Sequence, residues 1–121
     1  MATLLVNTGK AVVTSRIKGT GTEPLYVGWG TGAGTTAATD TTLFTETGSR
    51  ATGTSSQQTT STTNDTYQVI GTLTAGGALA ITNAGTFDAS SGGNLFVKGD
   101  FSTINLASGD SIQFTTKVQF S

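Results

Sequence analysis

The chain has 121 residues, a formal net charge of -1, only 11% charged residues, and neither cysteine nor histidine. That length fits one domain able to bury a core without covalent staples. The missing residue types exclude a disulfide framework, thiolate and imidazole metal sites, a histidine general base, and Ser-His-Asp or Cys-His nucleophiles.

In chain order, residues 3–6 (TLLV) and 10–18 (KAVVTSRIK) form an apolar opening, with Asn7, Thr8 and Gly9 between them as a turn. Leu4, Leu5 and Val6 read either as an edge strand or as part of an N-terminal arm over residues 1–9 that lies on a neighbouring subunit. Residues 19–24 (GTGTEP) are a loop, and 25–30 (LYVGWG) a strand in which Gly28 marks a close backbone approach. A long loop over 30–40 follows, and Leu43 and Phe44 open a polar strand region running to Arg50. Residues 52–66 (TGTSSQQTTSTTNDT) read as a flexible loop. Residues 67–73 (YQVIGTL) and 79–83 (LAITN) are strands, and the Gly76-Gly77 pair between them predicts a tight primed hairpin. Further turns are expected at 91–94 (SGGN) and 108–110 (SGD). Gly99-Asp100 interrupts the strand at 95–98, with Phe101 continuing it as a bulge or a short strand. At the end, Ile112, Phe114, Thr116, Val118 and Phe120 alternate with Gln113, Thr115, Lys117 and Gln119, the period of a half-buried strand.

With 27 threonines, 17 glycines and one proline, the composition favours strands and turns over helices. Roughly seven to nine strands, with turn signals about every 8–12 residues, predict an all-β fold. The expected architecture is a single-domain antiparallel β-sandwich or jelly-roll-like fold over residues 1–121, with long Gly/Thr-rich loops. No fixed-period repeat, secretion signal or membrane-length apolar run is visible.

Chemistry finds little purchase. Glycines 28, 30, 32 and 34 never give the dinucleotide or phosphate-loop spacing. The seven carboxylates mostly adjoin Gly, Ser or Thr, where they cap turns. Asp88, Ser90 and Asn94 share a loop without the calcium-loop pattern. The six basic residues, Lys10, Arg16, Lys18, Arg50, Lys98 and Lys117, are scattered. They provide no basic surplus to displace counterions, so no nucleic-acid partner is expected. Trp29, the sole tryptophan, reads either as core or as an interface anchor. The sequence therefore predicts a non-enzyme without cofactor or metal, with Leu4, Leu5, Val6 and Trp29 as candidate partner contacts.

Residues 81–87 (ITNAGTF), 88–95 (DASSGGNL), 104–106 (INL) and 108–112 (SGDSI) resemble a pattern in small structural proteins of tailed bacteriophages. There it is Ile-Thr-Glu-x-Gly-Leu-Phe-Asp, a Gly-rich turn, a strand, and a Gly-Asp turn before the last strand. Residues 26–34 (YVGWGTGAG) are similar to their first half, so the resemblance covers most of the chain from Leu25 onward. Asn83 stands where an acidic residue is frequent, and Thr86 where leucine is frequent. The resemblance implies a capsid decoration, or cement, protein that clamps neighbouring major capsid subunits. It would be made in the host cytoplasm, form a homotrimer and sit on the capsid exterior, with no membrane partner. The alternative it leaves open is a tail-tip, baseplate or fibre module, one that binds a host glycan if Trp29, Tyr26 or Tyr67 is exposed.

Overall fold

The computed structural model describes residues 3–121. In order, the elements are β1 (Thr3–Leu5), α1 (Asn7–Lys18), β2 (Tyr26–Gly30), β3 (Glu46–Thr52), β4 (Thr54–Gln58), β5 (Thr66–Thr74), β6 (Leu79–Phe87), β7 (Leu95–Leu106) and β8 (Ser111–Gln119). The strands pair antiparallel in two sheets, ordered β1-β7-β6-β2-β3 and β4-β5-β8. This is the sandwich-like all-β architecture expected.

The main core lies between the sheets. Val27 and Trp29 of β2 and Ile81 and Ala84 of β6 meet Val69 and Leu73 of β5, with Ile112 and Phe114 of β8 packed alongside. Trp29 is 2% exposed, and its ring stands edge-on to Phe114 of the opposite sheet at 6.3 Å between centroids. The period-two pattern of β8 is realised, its even-numbered residues half-buried and its odd-numbered ones exposed.

Where the sequence pattern is local, the expected turns form. The β6–β7 hairpin turns at Gly92 and Gly93, with φ of 63° and 70°, and Asp88 accepts both the backbone N–H of Asn94 at 2.6 Å and its side-chain amide at 3.0 Å. Two expectations fail, and an alternative left open is decided. The chain at Gly76-Gly77 is no hairpin: β5 and β6 belong to different sheets, and these residues carry the chain from one layer to the other. Neither glycine takes a positive φ. At Gly99-Asp100 the bulge is the alternative realised, not a separate short strand. Ile81 faces Ile104 while Asn83 faces Asp100, so β7 carries two extra residues there and continues as one bulged strand. Leu43 and Phe44 precede β3 and belong to the long loop, where Leu43 is buried.

The largest correction is at the N-terminal side. Residues 10–18, read as part of an apolar opening, are helical, and Asn7, Thr8 and Gly9 are the first turn of α1 rather than a separator. The helix ends at Gly19, whose φ of 89° lets its N–H reach Arg16 O and that of Thr20 reach Ser15 O. Gly9 lets α1 lie directly on β7: a Cβ there would sit 2.1 Å from Phe96 O. Val12 packs with Phe96 and Val97 of β7, and Tyr67 of β5 and Val118 of β8 join the same cluster. The helix thus bridges the two sheets. Of the two readings of this opening segment, the edge strand forms and the arm over residues 1–9 does not: from Thr3 the chain pairs with Val97–Gly99 and then enters this helix; positions 1 and 2 lie outside the described residues.

Residues 52–66 are also built into the fold. They supply β4 and a turn gathered around Asp65, whose carboxylate accepts the N–H groups of Thr60, Ser61 and Thr62 at 2.8–3.0 Å. Those amides, that of Thr62 foremost, hold the Asp65 carboxyl far below the usual carboxylate range. A carboxyl with a lowered folded pKa contributes stability that is complete above its unfolded pKa and is lost as pH falls through the folded one. We predict that Asp65→Ala speeds hydrogen exchange at the amides of 60–62 at neutral pH, measured by NMR. The wild type should keep its protection well below pH ~4.

Candidate functional site

Polar side chains in the interior serve the fold. The loop at 31–45 is pinned to the first sheet by four residues of β6 and β7, among them Thr82, whose hydroxyl donates to Gly32 O. Asn83 pairs with Phe44 as a strand would, accepting its N–H at 3.0 Å and donating to its carbonyl at 3.1 Å. Asp100 accepts the N–H of Thr36 at 3.1 Å. Lys98, fully buried, donates to Asp40 Oδ2 and to Thr42 O, both at 2.9 Å, and its Nζ lies 3.3 Å from the centroid of the Phe44 ring. The Asp40 carboxyl is held below its ordinary value, first by the Ala37 N–H and then by Lys98. Arg50 grips Glu46 through two nitrogens at 2.7 and 2.9 Å, donates to the carbonyls of Ala89 and Gly92, and stacks on Phe87.

Every one of the seven carboxylates holds such a partner. Asp40 and Glu46 are in ion pairs; Asp65, Asp88, Asp100 and Asp110 accept backbone amides; Glu23 accepts the Tyr67 hydroxyl at 2.9 Å. Among the described residues no three acidic side chains gather as a metal-binding group, and no helix is long and apolar enough to cross a membrane.

The surface carries one apolar feature of a different kind. Between α1 and the second sheet runs a groove of about 440 Å³, lined by Val13, Ile17, Pro24, Tyr67, Phe96 and Phe120 among others. Ile17 is 81% exposed and Phe120 50%, so two large apolar side chains flank an open trough. Arg16 and Glu23 lie along it, and Tyr67 stands edge-on to Phe96 inside it with its hydroxyl tied to Glu23. Burial first, and Glu23 second, push the Tyr67 pKa well above its ordinary value, so the phenol stays neutral. A groove of this make can receive an apolar side chain or a short segment from another protein.

The candidate contacts read from the sequence lie elsewhere. Trp29 and Val6 are buried at 2% and 0% exposure, committed to the chain's own cores. Leu4 and Leu5 are half-buried in β1. Tyr26 is half-buried against the cluster of Val6, Leu43, Phe87 and Leu95. The three aromatics named for a glycan platform therefore do not share an open face. The sequence does not single out Ile17 or Phe120 as contacts: residues 10–18 read only as an apolar opening, and Phe120 falls on the half-buried face of the last strand. The signal that finds Ile17 is the helix stop formed by Arg16 and Lys18 in a last turn followed by Gly19. Compared with protein-family models, curated proteins and solved structures, the chain finds no match.

Proposed function

We infer that this chain is a non-enzymatic structural subunit of a tailed-phage particle, a capsid decoration protein that docks on major capsid subunits and clamps neighbouring copies together. The observation that carries this reading is the apolar groove with Ile17 and Phe120 exposed beside it, on a chain whose acidic groups are all engaged in its own fold. The resemblance of residues 81–112 and 26–34 to phage structural proteins supports the same reading and implies a trimeric assembly. Consumption of Lys98 and Arg50 inside the molecule further thins an already sparse basic surface and argues against nucleic acid as the partner. Clamping would work by buried area: a stable interface covers roughly 1,200–2,000 Å², and each coat–decoration–coat bridge adds such area against the pressure of packaged DNA.

The test is the copy number of the chain in purified particles, by quantitative mass spectrometry. The expected result is a number close to that of the major coat protein. A few copies per particle would move the assignment to the tail, and absence would remove the virion reading. Ile17→Asp with Phe120→Asp should deplete the chain from particles while leaving its circular dichroism unchanged, since both side chains face solvent in the isolated fold.

A further inference from the structure

The four sheet edges are not alike. Native proteins blunt exposed edges by making them short, bulged or charged. Here β1 has three residues. β3 is bulged: Val27 faces Ala51 but Trp29 faces Thr47, and Gly48 in the bulge has a φ of 72°. The same strand carries the Glu46–Arg50 pair. β4 has five residues. β8, by contrast, pairs with β5 in unbroken register over nine residues, from Ser111 to Gln119, with no proline and a single charge, Lys117.

The direction of its free backbone groups follows from the ladder. Beyond the two ends of the β5–β8 pairing, Ala75 N–H donates to Asp110 O and Phe120 N–H to Asp65 O. These bonds belong to the even-numbered residues of the β8 segment. In an antiparallel ladder hydrogen-bonded and non-bonded positions alternate, so Ser111, Gln113, Thr115, Lys117 and Gln119 aim their N–H and C=O groups away from β5, along the open edge.

We propose that this edge pairs with β8 of a second copy, antiparallel and two-fold about Thr115, joining two three-stranded sheets into one of six strands. This is the register in which all five outward-aimed residues find partners: Ser111 faces Gln119 of the second copy, Gln113 faces Lys117, and Thr115 faces Thr115. Lys117 thereby meets a neutral glutamine, whereas a pairing centred on Lys117 would set two like charges opposite each other. On the inner side Ile112 meets Val118, and Phe114 meets Thr116, an aromatic beside a β-branched residue. A cavity of about 180 Å³ lined by Val97, Phe101, Phe114 and Thr116 lies beside Thr116, where the second copy's Phe114 arrives. The two-fold contact is isologous and differs from the trimer implied by the resemblance. It rests on the edge geometry and not on the virion reading.

Light scattering of the purified chain should give twice its 12.2 kDa mass. Thr115→Lys places two like charges across the axis on the exposed face, and should return the mass to one chain with the circular dichroism unchanged. The chain has no cysteine, so register can be read directly. Thr115→Cys should be joined into covalent dimers by a short bismaleimide. Gln113→Cys alone should not, its two copies lying roughly 13 Å apart along the strands, while Gln113→Cys mixed with Lys117→Cys should. A single-chain mass for the wild type at its highest soluble concentration overturns the proposal. So does an oligomer that Thr115→Lys leaves intact, or one in which the Gln113→Cys variant alone cross-links and the Thr115→Cys variant does not.

Discussion

Trp29→Ala will lower the stability of the fold by about 4 kcal/mol, the range expected when a large buried aromatic is truncated to alanine. The indole is 2% exposed, sits in the cluster that joins both sheets, and meets Phe114 of the opposite sheet edge-on. Its removal leaves a hole that rigid strands on either side cannot close. For a domain near this size the loss corresponds to a fall in Tm of roughly 15 °C, measurable by calorimetry or thermal circular dichroism. Trp29 is also the only tryptophan, so the wild type reports on itself: its emission should be blue-shifted and poorly quenched by acrylamide. A red-shifted, readily quenched signal would contradict the burial and return Trp29 to the surface contacts.

The second large effect is expected at Lys98. Lys98→Ala should cost about 3 kcal/mol, the lower end of what is seen when one partner of a buried ion pair is removed. The lower end applies because the Asp40 side chain remains 20% exposed and can regain water. The loss combines three things: the aliphatic stem packed at 0% exposure, the charge facing the Phe44 ring, and the bond to Thr42 O. The pH dependence distinguishes the ionic part. Asp40 has a lowered folded pKa, so the pair's contribution is complete above the ordinary carboxylate range, about pH 4, and is lost as pH falls through the lowered value. The stability difference between wild type and Lys98→Ala should therefore be largest at neutral pH and should narrow in acid by the ionic part. A difference that stays constant from neutral pH into acid would make the contribution one of packing alone.

What the sequence disclosed is what is local. The alternation from Ile112 to Phe120 is a property of adjacent residues, and a strand's side-chain period of two makes it readable wherever one face is buried. Turns at 91–94 and 108–110 were readable for the same reason. The helix was not, because Val12, Val13, Thr14 and Ile17 are β-branched and favour strands on their own. Its place is set by the close approach of Gly9 to Phe96 and by the burial of Val12, which are facts about β7, nearly ninety residues away. Gly76-Gly77 misled because a glycine pair says that the chain turns, not whether it returns to the same sheet. Lys98 and Asp40 are separated by 58 positions, and nothing near either announces the other. The apolar groove is assembled from residues 12, 13, 16, 17, 23, 24, 57, 67, 96 and 120, so only Ile17 had a local signal.

The pairing of β1 with β7 also governs how the chain comes to be folded. Thr3 lies against Gly99 and Leu5 against Val97, and β5 needs β8, which follows it by almost forty residues. On the ribosome β1 and α1 have no partners until β7 has emerged, and the second sheet is incomplete until β8 follows. Such a topology closes long loops before any contact repays them, which places folding among the slow all-β domains, in roughly the millisecond-to-second range. Through that interval Val12, Ile17 and the apolar face of β8 stand open together. The protein is thus most vulnerable to sticking to its neighbours before it has folded, at the segments through which, once folded, it is proposed to meet them.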